Sequence, residues 1–96
     1  MIKRRKGREI ALQALYQFDV SGEFSESLLD DFYTCFYPRD GRSEFAEDLI
    51  RGVYANKSEI DELIEKYSQN WKLSRMPVVD RNILRFAIFE LLHKED

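Results

Sequence analysis

Apolar residues recur at spacings of three and four along nearly the whole chain. Only two prolines and four glycines interrupt them, a pattern that predicts an all-α protein. The periodicity resolves into five helices. In the first, over about 5–19, Ile10, Ala11, Ala14, Leu15 and Phe18 share one face, while Leu12, Tyr16 and Val20 form a second apolar line. A helix with two apolar faces is either central or leaves one face for a partner. Ser25 is placed to cap a second helix whose Leu28, Leu29, Phe32 and Phe36 point inward and which must stop before Pro38. Pro38 to Gly41 reads as a turn. A third helix follows Ser43 with Phe45, Leu49 and Val53 inward, and Gly52 weakens its last turn. Ser58 and Asp61 resemble a capping box for a fourth helix with Ile60, Leu63, Ile64 and Tyr67 inward.

The fifth helix, Val78 to Leu92, is the most hydrophobic. Ile83, Leu84, Phe86, Ala87, Ile88, Phe89, Leu91 and Leu92 cover nearly its whole circumference, so it needs cover on most sides. The other helices wrap it, the chain dimerises through it, or further helices follow; Phe86, Phe89 and Leu92 are the expected exposed group. Trp71, at the junction before this helix, reads as a core anchor. Ninety-six residues suffice for one compact helical bundle with a modest core.

Charge changes the picture. Lys3, Arg4, Arg5, Lys6 and Arg8 put five positive charges in the first eight residues, whereas the remaining 88 carry ten bases against eighteen acids, for a chain total of −3. A polyanion responds to local potential within about 10 Å at ordinary salt, so the segregation matters more than the acidic total. The leader reads either as a grip on a nucleic-acid backbone or as a solvated tail. Positive charge in a first helical turn opposes the macrodipole at about 0.3–1 kcal/mol per site, so it is poorly placed for folding alone. Tyr16 either stacks on an unpaired base or is an ordinary boundary tyrosine, and Gln13 either reads a base edge or faces solvent. Asp80-Arg81 reads as a favourable N-terminal helix charge followed by a solvated arginine.

Other chemistry is not suggested. One cysteine, Cys35, and one histidine, His93, build neither a disulfide nor a metal cluster, and no nucleophile constellation, paired-carboxylate motif or phosphate loop appears. Glu9, Gln13, Gln17 and Asp19 break the apolar run that a signal peptide would need after the basic start. The expectation is a soluble, cytoplasmic, non-enzymatic protein without cofactor or metal and without a membrane-spanning segment.

Three segments together resemble the NusB family of bacterial transcription antitermination factors: Arg4 to Tyr16, Phe45 to Val53, and Val79 to Leu92. The resemblance implies an all-α fold of two helical subdomains, no catalysis, and recognition of boxA RNA together with the small-subunit ribosomal protein NusE. It also implies a role in the RNA polymerase antitermination complex on ribosomal RNA operons. By position, Arg4, Arg5, Lys6 and Arg8 match the family's arginine-rich RNA-binding motif, with Gln13 and Tyr16 on the adjoining surface. Asp80 matches an acidic position at the ribosomal-protein interface. Lys6 and Gly7 depart from the motif, and Gly7 costs the helix up to about 1 kcal/mol. Family members continue with two more helices beyond the match to Leu92, so residues 1–96 are expected to form one NusB-like domain incomplete at its C-terminus. The alternative is an RNA-binding accessory domain of a ribosomal RNA cytosine methyltransferase.

Overall fold

The computed structural model describes residues 4–39, 41–68 and 72–93. Trp71 and Lys3 lie outside them. Five α-helices are present: α1 (Arg4–Ser21), α2 (Glu26–Phe36), α3 (Glu44–Ala55), α4 (Lys57–Tyr67) and α5 (Val78–His93), with a 3-10 turn at Leu73–Arg75. Helix α1 packs on α3 and α5, and α4 packs on α5.

The first three helices follow from local rules. The predicted face of α1 is buried, and α1 ends where Gly22 adopts φ 85° and its N–H bonds the Phe18 carbonyl at 2.9 Å. Ser25 Oγ accepts from the Leu28 N–H at 3.1 Å, and Ser43 Oγ accepts from the Ala46 N–H at 3.1 Å, capping α2 and α3. Leu29, Phe32 and Tyr33 carry α2 into the core, whereas Phe36, expected inward, is exposed. The rings of Phe18, Phe24, Phe32 and Tyr54 close the α1–α2–α3 junction, with Phe24 and Tyr54 stacked at 4.8 Å. In α3, Ala46 and Ile50 are buried beside Leu49 and Val53, while Phe45 is only half-buried.

Gly52 does not merely weaken α3. A β-carbon there would lie 2.1 Å from Phe89 Cζ, so its missing side chain is the seat for the Phe89 ring of α5. Gly7 does the same for Phe45, where a β-carbon would lie 2.7 Å from Cδ2. Phe89 is thereby buried, contrary to the expectation that it would be exposed.

The capping box at Ser58 does not form. Helix α4 begins at Lys57 after Asn56 without a side-chain cap, and Asp61 is drawn away to Arg85. Tyr67, expected inward, is exposed because Ile60 and Ile64 alone take the buried line of α4.

Helix α5 departs furthest from its pattern. Its buried line is Asn82, Arg85 and Phe89, while Val79, Ile83, Leu84, Leu91 and Leu92 are exposed. The described helices therefore do not wrap it. Leu63, Ile64, Tyr67, Leu84, Ile88, Leu91 and Leu92 line an open apolar groove of about 430 Å³ between α4 and α5.

The polar residues go inward because they are paired. Arg85, 5% exposed, donates from Nε to Asp61 Oδ1 at 2.8 Å and from Nη1 to Asp19 Oδ2 at 2.9 Å. Asn82 Nδ2 adds 2.8 Å bonds to Asp19 Oδ2 and to the Val78 carbonyl. Arg81, expected to be solvated, forks onto Asp19 with both bonds at 2.7 Å and reaches the Leu73 carbonyl at 3.2 Å. One carboxylate at the end of α1 thus gathers three donors from α5. Burial alone would raise the Asp19 pKa, but the bonds from Arg81 and Asn82 and the charges of Arg85 and Arg81 hold it down at about 2.

Candidate nucleic-acid interface

Helix α1 opens with Arg4, Arg5, Lys6 and Arg8 and has no acid in its first turn. Part of what holds this charge in place is aromatic. The guanidinium carbons of Arg4 and Arg8 lie 5.5 and 5.3 Å from the centroid of Phe45, the ring that Gly7 admits. Lys6 Nζ lies 5.3 Å from the centroid of Tyr37, just past α2. Exposed contacts of this kind contribute about 0.5–1 kcal/mol each, comparable to the dipole cost of a cation in the first turn. A ring orients a cation without neutralising it, whereas a carboxylate does both.

The basic residues of the leader therefore differ in what they can offer. Arg8 is committed: its Nε and Nη2 donate to the two oxygens of Glu90 on α5, both at 3.1 Å. This pair joins the start of α1 to the end of α5. Arg5 and Lys6 are exposed and make no ion pair among the described residues. Arg4 is exposed beside Phe45. Lys3 lies outside the described residues.

Arg5, Leu12 and Tyr16 are spaced to share one side of α1, and Gln13 flanks it next to the line of Lys6. From Arg5 to Tyr16 this side rises about 16 Å. At its far end Glu9, Leu12, Gln13 and Tyr16 form one wall of a groove of about 430 Å³, and Val79 at the start of α5 forms the other. Tyr16 is 38% exposed, so its ring is neither core nor free of support. Asp80, exposed in the first turn of α5, follows Val79 directly. The fold thus brings Gln13, Tyr16 and Asp80 to one locality, with Arg5 and Lys6 farther along the same helix.

Sequence reasoning left out Tyr37 and Phe45 as site residues, although their rings order the leader. Their signal was weak: an aromatic beside a proline turn and another just after a helix cap.

Among the described residues, no three His, Cys, Asp or Glu side chains are grouped to hold a metal ion. Within the same residues no helix is long and apolar enough to cross a membrane. His93 stacks on Phe89 at 5.0 Å between ring centroids.

The model of the NusB family matches residues 5–96. The chain is 50% identical over 95 residues to the transcription antitermination protein NusB of Desulforapulum autotrophicum, covering 97% of this chain and 66% of that protein. It is 47% identical over 94 residues to the protein of the same name from Anaeromyxobacter dehalogenans, again covering 97% and 66%. The chain thus spans just under two thirds of the length of these relatives. Among solved structures, a chain in "Crystal Structure of a Plectonemic RNA Supercoil" superposes with a TM-score of 0.83 at 29% identity, covering 99% of this chain and 70% of that one.

Proposed function

The chain belongs to the NusB family, and on that premise we propose that it is an RNA-binding transcription antitermination factor. Residues 1–96 serve as a helical RNA-binding domain, without catalysis or cofactor and at work in the bacterial cytoplasm. Its ligand is single-stranded boxA-type RNA. Arg4, Arg5 and Lys6 hold the backbone, with Lys3 beside them, and Gln13 and Tyr16 meet bases farther along α1. The partner is the small-subunit ribosomal protein NusE, seated by Asp80 and the neighbouring groove, and the pair acts with RNA polymerase on ribosomal RNA operons.

The observation that carries the RNA reading is the placement of Arg5 and Lys6. They are exposed cations without a carboxylate partner among the described residues, on the side of α1 that leads to Gln13 and Tyr16. The similar solved chain, too, comes from a crystal structure named for an RNA supercoil. Asp80 and Glu9 supply negative charge beside an apolar groove, a surface suited to a basic protein.

Anisotropy titrations of labelled boxA-type RNA over a range of salt test the reading. Each phosphate contact on a single strand contributes roughly −0.7 to the slope of log K against log salt, so contacts from Arg4, Arg5 and Lys6 give about −2. Arg5→Ala with Lys6→Ala should make the slope shallower by about 1.4 while leaving the helical circular dichroism intact. Arg8→Ala should instead lower the melting temperature through loss of the Glu90 fork. An unchanged slope in the double variant would remove the leader from the RNA site.

A further inference from the structure

Beyond the leader, the loop between α2 and α3 carries a basic residue two positions past Tyr37, the ring that Lys6 contacts. That loop holds two arginines three residues apart with different surroundings. Arg42 lies 4.6 Å from the centroid of the Tyr33 ring, donates to Glu47 Oε2 at 2.7 Å and bridges to Asp30. Its charge is compensated within the fold. Arg39 is exposed and makes no ion pair among the described residues.

The position of Arg39 follows from Tyr37. The ring of Tyr37 lies beneath Lys6, which ties the end of α2 to the start of α1. Arg39 is two residues farther on, so its Cα is at most about 7 Å from that of Tyr37. Pro38 between them fixes one backbone dihedral, restricting how the loop leaves Tyr37. An arginine side chain has the length to meet a phosphate adjoining the one held by Lys6.

We propose that the RNA path continues past the leader onto this loop, with Arg39 as a further phosphate-binding residue. The path then runs from Tyr16 and Gln13 through Arg5 and Lys6, over Tyr37, to Arg39. This inference rests on the leader being the RNA site.

The test uses the 96-residue chain, a labelled single-stranded boxA-type RNA and a salt series. Arg39→Ala should make the slope of log K against log salt shallower by roughly 0.7 and weaken binding about fivefold at about 0.1 M salt. The melting temperature should not move. Arg39→Lys should restore the slope, because a phosphate accepts a point charge. Arg75→Ala is the control: Arg75 is also exposed without an ion pair among the described residues, but its turn lies near the Asp19 end of α1, about 20 Å from Lys6 along the helix. It should leave the slope unchanged.

An Arg39→Ala chain that titrates like the parent would overturn the proposal. So would an equal loss in Arg75→Ala, which would mean a diffuse field rather than a contact. The Arg5→Ala, Lys6→Ala chain in the same series separates the two levels. If it flattens the slope and Arg39→Ala does not, only the extension fails. If it leaves the slope unchanged, the leader reading fails and the extension falls with it.

Discussion

Replacing Arg85 by methionine is expected to cost about 3–5 kcal/mol of folding stability, a large share of the roughly 5–15 kcal/mol available to a small domain. Arg85 bridges Asp19 and Asp61 while 5% exposed, and its removal leaves two largely buried carboxylates short of their shared cation. Urea denaturation of Arg85→Met should show the loss. Adding Asp19→Asn and Asp61→Asn should recover part of it, because the uncompensated charges are then gone. A loss below about 1 kcal/mol would mean that the network is solvated rather than structural.

Acid probes the same network with a defined sign. The folded pKa of Asp19, about 2, lies below its ordinary value of 3.8. Its contribution is therefore fully present above about pH 4 and disappears as pH falls through about 2, amounting to about 2 kcal/mol. In Arg85→Met the acid limb should begin at higher pH, since one of the charges that hold Asp19 down has been removed.

Gly52→Ala should destabilise the chain by about 1–3 kcal/mol, against the roughly 1 kcal/mol that alanine gains over glycine in an open helix. The added methyl carbon would sit 2.1, 2.5 and 2.7 Å from three atoms of the Phe89 ring, and that ring is buried. Phe89→Leu in the same chain should recover stability by clearing the ring. A melting temperature raised by Gly52→Ala alone would show that α3 and α5 do not approach this closely. Gly7→Ala should be milder, because Phe45 is half-buried and can swing outward.

Much of the fold was legible because its causes are local. The buried face of α1, the cap at Ser25, the start of α3 after Ser43 and the stop before Pro38 each depend on residues close by in the chain. What periodicity does not carry is depth. It marks Phe36 and Tyr67 as inward-facing, but whether a neighbour covers them depends on how distant helices are arranged. In α5 the apolar residues dominated the pattern and concealed its one polar line, Asn82 and Arg85, which leads on to Phe89. That line is buried because Asp19 and Asp61 come from helices 66 and 24 residues away from Arg85.

The candidate site divides the same way. A cluster of five cations is visible in any reading of the first eight residues. That Arg8 is held by Glu90, 82 residues away, while Arg5 and Lys6 are not so held, is a property of the fold. The two glycines are similar: sequence marks them as helix weakeners, and only the rings seated on them reveal their use.

Binding of RNA along α1, from the leader to Tyr16, can be mapped residue by residue. Amide chemical-shift changes in the ¹⁵N-labelled chain, titrated with boxA-type RNA, should concentrate at Arg4 to Arg8, Gln13 and Tyr16. They should extend to Tyr37 and Phe45 through the rings beneath the leader and leave the α4–α5 groove around Leu63 and Leu91 unmoved. Shifts confined to that groove, with the leader silent at saturating RNA, would contradict a binding site on α1.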